Sequence, residues 1–195
     1  MSRRQFIEEI LRAGAMLGLL MAFSHIFEHY LLIYSGMDLS TASMVYLLEW
    51  IVSAGVYVWL MWRSTRRTAS LVDKRMGFGF GLGWSYVVIV AMLVGIIVGV
   101  ANTLYVSLMG YEAYVDGMLV RLDQMSDMML ATGADTANDE LFVELREAVQ
   151  SAEQPSIFSN ILASLNSFIF TGGIIGLVIA SFARRKPEIT TPTEE

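Results

Sequence analysis

The chain has 195 residues, of which 55% are hydrophobic and 16% charged, with no cysteine and a formal net charge of −6. A soluble domain carries about 25% charged residues, so this composition excludes one, and it equally excludes disorder and a disulfide scaffold. An acidic balance without a basic stripe argues against nucleic-acid binding, and the mean hydropathy of +0.54 leaves an integral membrane protein.

The chain opens on Ser2-Arg3-Arg4-Gln5-Phe6-Ile7, which is spelled like a twin-arginine export signal. Glu8, Glu9 and an apolar run well beyond signal length argue instead for a basic flank that anchors a first span. A membrane helix needs about 20 apolar residues, and four stretches qualify: 13–34, 44–62, 82–109 and 157–183. The first two are separated by a short turn and predict a tight hairpin. The third would be roughly 42 Å long as a helix against about 30 Å of hydrocarbon, so it has to tilt or protrude.

Orientation follows from the basic residues. Arg3, Arg4 and Arg12 precede the first span; Arg63, Arg66, Arg67, Lys74 and Arg75 follow the second; Arg184, Arg185 and Lys186 follow the fourth. Eleven of the 13 Lys and Arg therefore fall on one side, expected to be the cytoplasm, together with both termini and a flexible tail at 187–195. The segment 110–156 has ten acidic residues beside Arg121 and Arg146, a local charge of −8 that leaves the remainder at +2. It is expected to be periplasmic, in a bacterial inner membrane.

Within that segment Tyr111, Val115, Met118, Leu122, Met125 and Met129 recur at spacings of four and three, the signature of one helix face. A break follows at Thr132-Gly133-Ala134-Asp135, after which Thr136 or Asn138 could cap a second helix carrying Leu141, Phe142, Leu145 and Val149, to end before Pro155. The methionines suit adaptable packing better than soft-metal binding, because neither His nor Cys accompanies them. The expectation is a single all-α membrane domain: four transmembrane helices, with an acidic extracytoplasmic helical hairpin between the third and fourth.

Ionisable groups inside spans are expensive and mark functional sites by default. Both histidines lie in His25-Ile26-Phe27-Glu28-His29 on the first span, and Glu49 on the second sits at a similar distance from the hairpin turn. His25 and His29, four apart, share a face. His-x-x-Glu-His is also the spelling of inverted zinc metallopeptidases. There two imidazoles and a third ligand, which Glu49 could supply, hold zinc while a glutamate acts as base. Three readings compete for these residues: structural pairing within the hairpin, a proton or ion relay, and a metal site on His25, His29 and Glu49.

The small-residue stripes Gly14-x3-Gly18-x3-Ala22, Ala91-x3-Gly95-x3-Gly99 and Gly172-x3-Gly176 allow close helix approach, more often inside a bundle than between copies. Asn102, Asn160 and Asn166 are placed to hydrogen-bond between the third and fourth spans. Gly77, Gly79, Gly81 and Gly83 alternate as in a phosphate loop, but a nucleotide fingerprint needs a preceding strand in a βαβ unit. No nucleotide or other cofactor is expected, and no Ser-His-Asp set or paired-carboxylate site can be assembled.

The pattern resembles a family of small four-span membrane proteins of Bacteroidota, catalogued only as a domain of unknown function. The resemblance rests on the basic loop 63–75 leading into Gly77-Phe78-Gly79-Phe80-Gly81-Leu82-Gly83, the small-residue stripe of the long third span, and the acidic Met-containing stretch 111–155. It rests as well on the closing Gly172-Gly173-Ile174-Ile175-Gly176-Leu177-Val178-Ile179-Ala180 before Arg184-Arg185-Lys186-Pro187. It implies an inner-membrane location and an association with membrane-linked glycosyltransferases. The function expected is a non-enzymatic accessory or scaffold subunit that contacts membrane lipid and a protein partner or a second copy. The alternative is a small ion-coupled transporter or metal-binding membrane protein using His25, Glu28, His29 and Glu49.

Overall fold

Hydrocarbon leaves helix as the only way for a lone apolar segment to satisfy its own backbone. The computed structural model, which describes residues 1–131 and 137–187 (without the side chains of 137–139), is helical almost throughout. The expected break at 132–135 and its caps, Thr136 and the Asn138 side chain, lie outside the described residues, as does the tail from 188 on.

Helix α1 spans Arg3–His29 and continues into a five-residue π-helical turn, Tyr30–Tyr34. Ser2 and Gln5 close a capping box at its start, the Ser2 Oγ accepting from Gln5 N–H and the Gln5 side chain accepting from Ser2 N–H. Helix α2 spans Leu39–Leu71 behind an Asp38 N-cap, α3 spans Phe80–Met109, α4 Tyr111–Ala131, α5 Ala137–Ser151, and α6 Ile157–Ala183 behind a Ser156 N-cap. Among the described residues four helices are long and apolar enough to cross a membrane: α1 with its π turn, α2, α3 and α6, of 32, 33, 30 and 27 residues. The first two helices outrun their apolar stretches because the flanking Arg, Glu and Gln are strong helix formers and Ser2 and Asp38 cap them further out.

Helix α3 is central, packed most extensively on α6 and next on α1. The approach is set by missing side chains. A Cβ on Gly95 or Gly99 would sit 2.8 Å from the Leu165 Cα and 2.6 Å from the Ile161 Cα on α6, so no side chain fits there. Gly172 meets Ala91 and Gly176 meets Trp84 and Val87, while on α1 Gly14 packs on Leu93 and Gly18 on Ile97. Ala22 is buried in the same core, with Leu17, Tyr57, Met61, Tyr86, Val87, Val90 and Val94. All three stripes thus serve contacts within the bundle. Phe23, Leu48, Val52 and Phe170 point outward, the arrangement expected where the solvent is lipid.

At the basic end the chain is clasped. Phe78 and Arg185 exchange two backbone hydrogen bonds of 2.9 Å, and the Arg185 guanidinium donates to Val72 O at 2.5 Å. Gly77 has φ +68, and a Cβ there would lie 2.8 Å from Arg185 O, which explains why the loop before α3 needs glycine at that place. Gly79 and Gly81 face open space, so the alternation of glycines has no single purpose.

Candidate functional site

The polar residues of the first two spans gather where α1 ends, but not in the grouping expected from depth alone. Ser24 Oγ, buried, donates to Glu49 Oε1 at 2.6 Å and joins α1 to α2. His25 Nδ1 lies 3.3 Å from Glu28 Oε2 on its own helix, and the Tyr46 side chain of α2 reaches the same carboxylate. The His25 ring meets Phe168 of α6 edge-on, with centroids 6.3 Å apart. His29 points elsewhere. It stacks on Tyr105 of α3, 6.3 Å between centroids and 27° between planes, and meets the edge of Tyr114 of α4 at 5.8 Å.

The four residues named by the sequence therefore divide into a Glu49–Ser24 link, a His25–Glu28 pair and a His29 held between tyrosines. Shared depth placed Glu49 correctly along the axis, but its rotation about α2 turns it to the serine. Among the described residues no three His, Cys, Asp or Glu side chains form a group able to hold a metal ion. The third ligand that zinc chemistry requires is thus not brought to the histidines.

The site continues into α4 through residues the sequence had not singled out. The α1 chain ends in a π turn, a rare feature found often at functional sites, whose last carbonyls lack helical partners. Arg121 supplies partners to two of them, its guanidinium donating to Leu32 O and to Leu31 O at 3.4 Å; it also reaches Met37 O in the following turn at 2.7 Å and is steadied by Gln124 Oε1 at 2.6 Å. Ser35 Oγ donates to the same Leu31 O at 2.5 Å. Gly117 admits the π turn against α4, since a Cβ there would run into Ile33. Tyr114 is half-buried at this junction, and burial holds its phenol above the ordinary value, so it stays protonated. The one signal for Arg121 in the sequence is its isolation, a lone cation in the first acidic helix.

Helices α4 and α5 do pair. Arg146 reaches Asp123 across them and Tyr111 Oη donates to Ala152 O at 3.0 Å. The pair does not stand free, because α4 lies against the π turn and touches the ends of α2 and α3. Nor is its apolar seam closed. Tyr111, Val115, Met118 and Leu122 are half-covered, whereas Met125 is 45% exposed and Leu141 50%. Of the asparagines, Asn160 donates to Thr103 Oγ1 at 2.9 Å between α6 and α3; Asn102 Oδ1 is buried without a hydrogen bond and Asn166 is exposed.

Four apolar helices and a polar seam at one end define a helical membrane protein in which a short helical pair is fastened to the spans. The chain belongs to the family described as "Protein of unknown function (DUF4199)", which matches residues 12–185. No curated protein and no solved structure matches it.

Proposed function

We propose that the protein is a non-enzymatic accessory subunit of a bacterial inner membrane that docks a protein partner on its α4–α5 pair. The observation that carries this is an apolar seam left uncovered outside the spans. On that seam Met125, Leu141 and Leu145 are exposed, and so are Val120, Met128 and Leu130 on other faces of α4; neither α4 nor α5 is among the helices long and apolar enough to cross a membrane. Exposed apolar patches of this kind mark interaction surfaces. The seam is set in a segment of charge −8, so the matching face is apolar at its centre and basic at its rim, and a second copy would present the wrong sign. The basic ends of the four spans point to the cytoplasm by the positive-inside rule, which puts the helical pair in the periplasm. An ion relay through His25, Glu28, His29 and Glu49 has less support, because toward the basic end the bundle is filled by Leu17, Val90 and Val94.

The test is photo-crosslinking in native membranes from a benzophenone residue at Met125 or Leu141, with the lipid-facing Phe23 as control position. A discrete adduct absent from the control, weakened by salt and lost with Leu145→Asp, is expected. Adducts no different from the control sink the proposal. Orientation is read separately: the chain has no cysteine, so single cysteines at Lys74 and Glu144 should label from opposite sides.

A further inference from the structure

At the opposite end of the bundle, α1 and α2 flank a cavity of about 280 Å³ lined by Glu9, Arg12, Ala13 and Met16 on one side and Leu60, Arg63, Ser64 and Arg67 on the other. Its charges do not cancel. Arg67 Nη2 pairs with Glu9 Oε1 at 3.2 Å, while Arg12 and Arg63 have no ion-pair partner among the described residues. Three guanidinium groups thus share one carboxylate in a space just below the range of about 300–1,000 Å³ usual for small-molecule sites. The Arg63 guanidinium is steadied by the neighbouring Trp59, lying 5.4 Å from the centre of its ring. Next to it Arg66 lies 5.0 Å from that of Trp62. Trp59 and Trp62 close the apolar stretch of α2, where tryptophans mark headgroup level in a bilayer, so the cavity sits where lipid phosphates are. Its floor is apolar: Ala13, Met16 and Leu60, with Met16 45% exposed along the outer face of α1.

We infer that this cavity binds a phosphate-bearing anion through Arg12, Arg63 and Arg67, in the form of an amphiphile whose acyl chain leaves along Met16 and Leu60. Planar guanidinium forks match phosphate oxygens in pairs, and basic pockets between membrane helices are suited to anionic headgroups. Glu9 holds Arg67 in the wall and is short of the charge needed to neutralise the other two. The site lies at the far end of the bundle from the α4–α5 pair, and its occupancy does not depend on any partner there.

The experiment is native mass spectrometry of the full chain in a neutral detergent, titrated with dioleoyl phosphatidylglycerol, dioleoyl phosphatidylcholine or inorganic phosphate. Phosphatidylglycerol should be retained in preference to phosphatidylcholine. Removing two basic groups with Arg12→Gln and Arg63→Gln should weaken it about thirty-fold, given the attraction of each basic side chain at an anionic surface. Arg75→Gln, the same charge change as either single variant but in the loop outside the cavity, should move it less than about twofold. Should the double variant fail to fold, each single variant is expected to lose about fivefold. Inorganic phosphate that displaces the lipid at millimolar concentration would assign the cavity to the free anion; failure to displace it assigns the lipid. Equal retention of the two lipids, or an equal loss in Arg75→Gln, overturns the inference.

Discussion

Ser24 gives its hydroxyl hydrogen to the Glu49 carboxylate across 2.6 Å, and this bond ties the first two spans on the turn where the histidines begin. A carboxylate in a span is expensive unless it is hydrogen-bonded. Ser24→Ala should therefore destabilise the protein by about 1 kcal/mol, the usual scale for a polar link between membrane helices. The same loss should not recur when Glu49 is already alanine. Unfolding of the two single variants and the double variant in detergent gives the coupling, and strictly additive effects would show that the bond carries nothing.

The α4 anchorage makes a different demand, because Arg121 serves three carbonyls at once. Lysine has no planar fork with which to reach several acceptors. Arg121→Lys should thus behave almost like Arg121→Ala, each raising hydrogen exchange in the 30–37 segment and making 110–156 more sensitive to protease. Protection in Arg121→Lys equal to wild type would show that charge alone suffices.

Much of the bundle was legible because membrane helices need long apolar runs, and the stripes of Gly14, Gly95 and Gly172 announce where backbones meet. What escaped depends on rotation and on distant partners. Counting from the turn puts Glu49 level with His25, but level is an axial quantity, and the azimuth of α2 decides between histidine and serine. The π turn at Tyr30–Tyr34 has no local signature either. Its carbonyls are satisfied from Arg121, some 90 positions along the chain, a partner no window of sequence can supply. Helix ends lie beyond the apolar spans for a simpler reason: hydropathy marks the lipid boundary, whereas Ser2 and Asp38 mark the helix boundary.

Asp38 provides a pH test outside the spans. Thr41 donates its backbone N–H to the Asp38 carboxylate at 2.9 Å, and this bond, with help from the Thr41 side chain, holds the carboxyl below its ordinary value of 3.8. A depressed folded-state value stabilises the cap above the unfolded value, and the contribution disappears as pH falls through the folded one. Hydrogen exchange at Thr41, corrected for its intrinsic pH dependence, should lose protection below about pH 4. Asp38→Asn, which still accepts the bond, should show no such loss. An identical profile in both chains would mean that Asp38 does not titrate the cap.

Two glycines separate close approach from mere flexibility. At Gly99 a methyl group would meet the α6 backbone, the Ile161 Cα at 2.6 Å and Asn160 O at 2.9 Å, so the helices have to move apart. Forcing a well-packed contact open costs about 1–3 kcal/mol. Gly55, in the middle of α2, has nothing within 4 Å of its would-be Cβ, and there alanine gains helix propensity worth up to about 1 kcal/mol. Gly99→Ala should lower the thermal transition while Gly55→Ala leaves it unchanged or raises it. The sign of the difference is the decisive quantity: if both variants shift the same way, helix propensity rather than the α3–α6 contact governs the stripe, and α3 would not be packed on α6 through Gly99.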